Sequence, residues 1–416
     1  MKIERTFITG AYFLCSIPMY YLYTGGFTVA GFNFLYCYLA AIAFVFIAFA
    51  YFLVIPDIER MIKVLKYVGI LCVPYFLTII CSLVVWTLNL TGLRVMIRGF
   101  FWPSYQILAI FMAGACVYCF GEEGIYYQLL ALFAAYALFF LELIKEGGAG
   151  QVLYEYLRLI VTTGHETGPL MTKLERIAYA HGMGIFFLYL VYTLKENRKS
   201  RWFILPAGLL FLSGFKRSGI LGIAVGLVLM GLARWLNQTG KKALAVFVGI
   251  AMIAGGMAYI WLLSYNIMDI LTERFGINTM GRSEIYSVMR QYYDFSPTFW
   301  GKGLGYVSYS ISKGIIKVGG TGRGDIHNDI LRQYIELGMF GFVIWLWSFF
   351  HWRIKVFMEQ VDIRCGYFVL VVLGYCFTCY MTENMYYRFN AGLAIAVVIL
   401  SYAMQREEQK ERLAYE

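Results

Sequence analysis

Gly324-Asp325-Ile326-His327-Asn328-Asp329 closes a polar stretch, residues 266–332, and leads straight into an apolar run at residues 333–352. This junction decides how the chain is read, because a long polar stretch here interrupts a succession of hydrophobic ones. Working outward, further apolar runs lie at residues 7–23, 31–55, 67–89, 99–119, 125–144, 176–194, 202–214, 219–236, 243–264, 365–382 and 389–404. A helix needs about 20 apolar residues to cross the hydrocarbon of a bilayer, and most of these runs approach that length; 202–214 is short. Within lipid the backbone must satisfy its own polar groups, so helices are the economical form. The sequence predicts an all-α integral membrane protein with about twelve transmembrane helices and a long extracytoplasmic loop, 266–332, before the tenth.

Composition agrees. Apolar residues make up 60% of the chain and charged ones 14%, a balance outside the range of soluble domains. No Pro/Ser-rich linker, low-complexity segment or fixed-period repeat divides it, so residues 1–416 read as a single polytopic membrane domain. The first run lacks a small-residue cleavage site and the second follows closely, which fits an anchor rather than a signal peptide.

Lys and Arg in the connections set the orientation. With the N-terminus inside, the inner connections hold Lys2, Arg5, Arg60, Lys63, Lys195 and Lys199 among many others, and the short outer ones hold fewer. Both termini are thus expected in the cytoplasm, with the long loop outside. The net charge of +10 reads as membrane orientation and not as a nucleic-acid surface, because no basic patch interleaved with aromatics sits in a soluble segment. The cysteines avoid the outer loops, which argues against a disulfide-stapled exterior. Cys116/Cys119 and Cys376/Cys379 have CxxC spacing but fall near opposite surfaces, so they read as helix-packing residues.

Three places carry candidate chemistry. In Gly214-Phe215-Lys216-Arg217-Ser218 a cation pair stands on the outer side, and Ser218 is expected to cap the helix that follows. A guanidinium beside a helix N-terminus suits a diphosphate, and it equally suits a lipid headgroup anchor. Met280-Gly281-Arg282-Ser283 precedes apolar residues Ile285, Val288, Met289, Tyr292 and Tyr293, the spacing of an amphipathic helix on the membrane capped by Ser283. Arg290 lies two turns along it, and Gly301-Lys302-Gly303-Leu304-Gly305 is either an anion-binding turn or an ordinary one. His327 has three readings. It could join Asp325 and Asp329 around a divalent cation, take a proton from a sugar hydroxyl, or make a structural hydrogen bond. His165, His181 and His351 read as structural.

Arg217 opening an outward helix, Gly281-Arg282 in the long loop, and His327-Asn328 ahead of Glu336-Leu337-Gly338-x-x-Gly341 occur here in that order. The ensemble resembles the O-antigen ligase and Wzy-type O-antigen polymerase superfamily, mainly over residues 200–400. The usual Ser-Arg-Gly context reads Lys216-Arg217-Ser218-Gly219 here, which keeps Lys216 among the candidate ligands. The resemblance implies a C-type glycosyltransferase-like fold in the bacterial cytoplasmic membrane, acting at the outer leaflet on oligosaccharide linked to undecaprenyl diphosphate. It implies Arg217 and Arg282 as diphosphate ligands and His327 as the group that activates the acceptor. Arg290, Glu336, Glu383 and Arg388 are further candidates for substrate binding.

The expected activity is polymerisation of repeat units for capsule, O-antigen or exopolysaccharide. A ligase that moves finished glycan to another acceptor is the near alternative, and a lipid-linked oligosaccharide flippase the distant one. Neither cofactor nor metal is expected; a chain-length regulator and a flippase are candidate partners.

Overall fold

The computed structural model describes residues 2–24, 33–162, 179–214, 217–275, 282–318 and 326–415. No strand occurs among them. Every apolar run marked in the sequence has a helix as the main part of its described residues. Eight helices among the described residues are long and apolar enough to cross a membrane, from Ile58–Leu88 to Phe389–Leu413, and Tyr38–Val54, His181–Tyr192 and Ser200–Ser213 are shorter apolar ones. Large apolar side chains remain exposed along them, Phe46, Ile80, Leu83, Leu205 and Val228 among others. Such surface would be costly in water and is what a lipid-facing helix presents.

Two compact units divide the chain. The first comprises Met1–Gly69, Leu108–Met230 and Arg388–Glu416. Tyr12 is buried in it, edge-on to Phe44 at 4.9 Å and to Phe120 at 5.5 Å, and donates its hydroxyl to Gln128. Such a phenol needs a partner once it leaves water. Gly226 lets Arg217–Trp235 close on Leu188, whose Cδ2 would stand 2.7 Å from an added Cβ; small residues serve this purpose between membrane helices. Charges gather at one end. Glu123 pairs with Arg5 and, at 2.7 Å, with Lys199, and Lys63 meets Glu59 at 2.6 Å and also Glu411.

The second unit comprises Ile70–Ile107 and Gly231–Tyr387. Its core is aromatic: Trp345 lies 5.8 Å from Phe349, 5.7 Å from Phe350 and 5.6 Å from Tyr386. Arg353 is buried there, an expense in a spanning helix unless the charge finds partners. It donates to the Leu71 carbonyl at 2.5 Å and lies over the Phe349 ring at 4.1 Å. The helix that carries it begins at Asp329, not at 333, so Asp329 and Arg332 belong to the helix instead of the loop. It continues through a π-helical turn, Trp347–Trp352.

The 266–332 segment is more ordered than a loop. It contains the helices Ile267–Arg274, Arg282–Met289 and Tyr306–Ser312 and a 3-10 turn, Arg290–Tyr292. The amphipathic helix expected to run to Tyr293 therefore stops at Met289. Arg217 and Arg282 are already helical, so Ser218 and Ser283 lie within their helices and not ahead of them, where a cap would stand. Asn328 does cap: its side chain accepts a hydrogen bond from the Leu331 amide at 2.9 Å.

Candidate active site

The site in the second unit is built around a break in a helix. Gly338 adopts φ 69°, ψ −177° within Asp329–Leu346, a conformation that side chains all but forbid. Carbonyls and amides lose their partners at such a break and must find others. The loop supplies them. Lys302 and Gly303 donate their amides to the carbonyls of Ile335 and Glu336 at 2.9 and 2.7 Å, and Met339 donates to the Phe299 carbonyl at 2.8 Å. Backbone meets backbone so closely that a Cβ on Gly338 would stand 2.2 Å from the Trp300 carbonyl carbon.

The Gly301-x-Gly303-x-Gly305 turn is thereby accounted for. All three glycines have positive φ, between 83° and 88°. Two of the amides serve the broken helix, and the anion that the turn holds is internal. The Glu336 carboxylate accepts from the Val307 amide at 3.0 Å and is also bonded by the Gly305 backbone. Its other oxygen faces the Tyr387 hydroxyl at 3.4 Å. Tyr387 in turn accepts from Gln333 at 2.7 Å, and its ring lies under the Arg332 guanidinium at 4.7 Å. Burial, and after it the Glu336 charge, push the Tyr387 phenol well above its ordinary range, so it remains an O–H donor. Glu336 is a buried clamp on the loop, oriented by Gln333, Arg332 and Tyr387, residues that sequence reasoning did not single out.

At the entry to the same helix, His327 sits half-buried with φ 47°, a left-handed backbone that few non-glycine residues adopt. Asn328, which follows it, caps the helix through its oxygen and donates its amide nitrogen to the Tyr259 hydroxyl at 2.8 Å. Tyr259 donates onward to the Met381 carbonyl at 2.8 Å. Asp329 accepts from the Tyr386 amide at 2.6 Å. These bonds tie the helix start to the 381–387 turn, which carries Glu383.

Glu383 stands 3.3 Å from Arg282. The ion pair is partly screened, with Arg282 at 29% side-chain exposure against 10% for Glu383. The Glu383 carboxylate offsets the unfavourable placing of a cation near the start of a described helix. Arg290 is already engaged, donating to Asp269 at 2.7 Å and to Asn266.

In the first unit, Arg217 is exposed as the opening residue of Arg217–Trp235, and Arg388 precedes the helix Phe389–Tyr415. Lys216, His165, Gly281 and Asp325 lie outside the described residues. Among those described, no cluster of three or more metal-ligating side chains occurs. His181 is buried within its helix, and His351 packs against Gly249, where an added Cβ would meet its Nδ1 at 2.8 Å.

Helices alone, many of them apolar enough to span a bilayer, define an integral membrane protein. Its relationship is narrower than that. Residues 202–346 match the family model described as O-antigen ligase, and over this segment, about a third of the chain, the protein is related to that family. The match bears out the resemblance seen in the motifs and takes in Arg217, Arg282, Arg290, His327 and Glu336. It points to activity of the ligase or polymerase type on a lipid-linked glycan. No curated protein matches the sequence.

Proposed function

We propose that the protein polymerises oligosaccharide repeat units carried on undecaprenyl diphosphate at the outer leaflet of the bacterial cytoplasmic membrane. It works as a single polytopic domain of twelve crossings on a C-type glycosyltransferase-like scaffold. The observation that carries the reading is that Arg282, through Glu383, and the start of the helix that follows the strained His327, through Asn328 and Asp329, are both tied to the 381–387 turn.

The acceptor hydroxyl attacks the anomeric carbon while His327 takes its proton. The bond from that carbon to the diphosphate oxygen breaks, its electron pair leaves with the diphosphate, and a single displacement inverts the centre. Diphosphate is already a competent leaving group, so the residues need only neutralise its charge, the task of Arg282 and, by the resemblance, Arg217. No metal is required for this.

Topology is supported from within each unit. Arg5, Glu123 and Lys199, and likewise Lys63 and Glu411, join connections that the charge rule places inside. Asn89, donating to Gly301 at 2.9 Å, and Arg98, donating to Ser308 at 3.1 Å, join an outer connection to the long loop.

The test is the profile of carrier-linked glycans in a deletion strain. A polymerase loss should accumulate single repeat units on the carrier, whereas a ligase loss should accumulate long carrier-linked chains and would overturn the polymerase reading. His327→Ala and Arg217→Ala should each abolish polymer while the protein still reaches the membrane; normal polymer from either removes that residue from the mechanism.

A further inference from the structure

Tyr259 and Tyr286, which no motif marks, gather with Asn328, the motif neighbour of His327, between the two proposed functional residues of the second unit. Tyr286 follows Arg282 by four residues on the helix Arg282–Met289, so the two share a face. Its buried hydroxyl lies beside Tyr259 and Asn328. Tyr259, from the helix Gln238–Ser264, accepts from Asn328 at 2.8 Å and donates to Met381 at 2.8 Å. Asn328 uses both ends of its amide, one on Tyr259 and one on the Leu331 amide. All three are buried.

We infer that Tyr259, with Tyr286 beside it, is a positioning residue for glycosyl transfer, holding His327 in register with Arg282. The inference rests on His327 being the acceptor's base, and it goes beyond that reading by assigning the residue that aims it. The physical argument starts from strain. A left-handed backbone at a non-glycine residue costs on the order of 1 kcal/mol and persists only where its surroundings over-determine it. The residue after His327 is fixed at both ends of its amide, by Leu331 and by Tyr259, and that fixation leaves His327 little freedom to relax toward an ordinary φ. Glu383 adds the second link, since it pairs with Arg282 from the turn whose Met381 carbonyl accepts from Tyr259. Diphosphate capture and proton removal are thereby held on one frame, where a displacement of about 1 Å would be felt strongly in the rate.

The experiment uses the full-length protein in nanodiscs, with carrier-linked repeat units extracted from the deletion strain as donor and acceptor. Tyr259→Phe keeps the ring and removes the hydroxyl; it should lower kcat about tenfold, the value of one buried hydrogen bond, and leave the donor KM within about twofold. Tyr259→Phe combined with Asn328→Ala should be little worse than Asn328→Ala alone, because the tyrosine hydroxyl acts through Asn328. Tyr293→Phe, a buried phenol on the same segment, is the control and should leave kcat unchanged.

Wild-type kcat in Tyr259→Phe overturns the inference. So does an equal loss in Tyr293→Phe, which would mark a general structural effect. Should Tyr259→Phe fail to fold, Tyr286→Phe decides in its place by the same criteria. The arms separate this inference from the reading beneath it: full activity in His327→Ala sinks the base assignment, whereas an inactive His327→Ala beside a fully active Tyr259→Phe sinks the positioning role alone.

Discussion

Gly338→Ala attacks the junction on which the second unit is built. The native φ of 69° with ψ −177° lies in a region that is essentially glycine-only, so alanine alone costs about 1–3 kcal/mol of backbone strain. Its Cβ would also stand 2.2 Å from the Trp300 carbonyl carbon, 2.4 Å from that oxygen and 2.5 Å from the Gly301 amide. These are backbone atoms, so no side chain can swing aside. The loop must retreat and lose the Met339–Phe299, Lys302–Ile335 and Gly303–Glu336 bonds, at about 1 kcal/mol each. The total, on the order of 5 kcal/mol, is enough to undock the turn.

The assay is limited trypsin cleavage at Lys302 and Lys313 in membrane vesicles, alongside polymer output. The variant should be cut much faster than the parent and should make no polymer. Gly314→Ala is the matched control: its φ is also 69°, yet nothing lies within 4 Å of an added Cβ. It bears strain without a clash and should stay protected. Unchanged protection and output in Gly338→Ala, or equal damage in Gly314→Ala, would refute the clamp.

Arg282→Lys should lower activity roughly a hundredfold, because a point charge cannot grip a diphosphate through two parallel hydrogen bonds; full activity would reduce Arg282 to a surface anchor. Glu383→Gln removes the carboxylate that neutralises Arg282 at 3.3 Å, so inorganic pyrophosphate should inhibit at lower concentration than in the parent; an unchanged inhibition constant would separate Glu383 from the diphosphate site. Chelator in the purified assay should leave the rate intact, and inhibition reversed by a divalent cation would favour a metal held by Asp325, His327 and Asp329.

Much of the architecture was legible because membrane helices are written in local hydropathy. A run such as 243–264 must be helical in lipid whatever surrounds it, and the structure extends it to Gln238–Ser264. Boundaries were less legible. Asp329 and Arg332 look like loop residues, but the Tyr386 amide on Asp329 and the Tyr387 ring beneath Arg332 provide for both inside a helix. Ser283 has the chemistry of a cap, but Arg282 before it is already helical. Asn328 carried a readable signal, an N-cap residue just before an apolar run, while Tyr259 carried none, since one tyrosine in a spanning helix looks like any other aromatic of an interfacial belt.

The sequence by itself determined the class of molecule, the order of its apolar helices and the motif residues Arg217, Arg282 and His327, because hydropathy and short motifs are properties of neighbours along the chain. Only the tertiary structure decided that the glycine turn grips an internal carboxylate, that Gly338 breaks a helix for a loop to enter, and that Arg282 faces Glu383 while Tyr259 ties His327's neighbour to Met381. Those facts join residues many positions apart in sequence, and such partners become visible only when the chain brings them within hydrogen-bond distance.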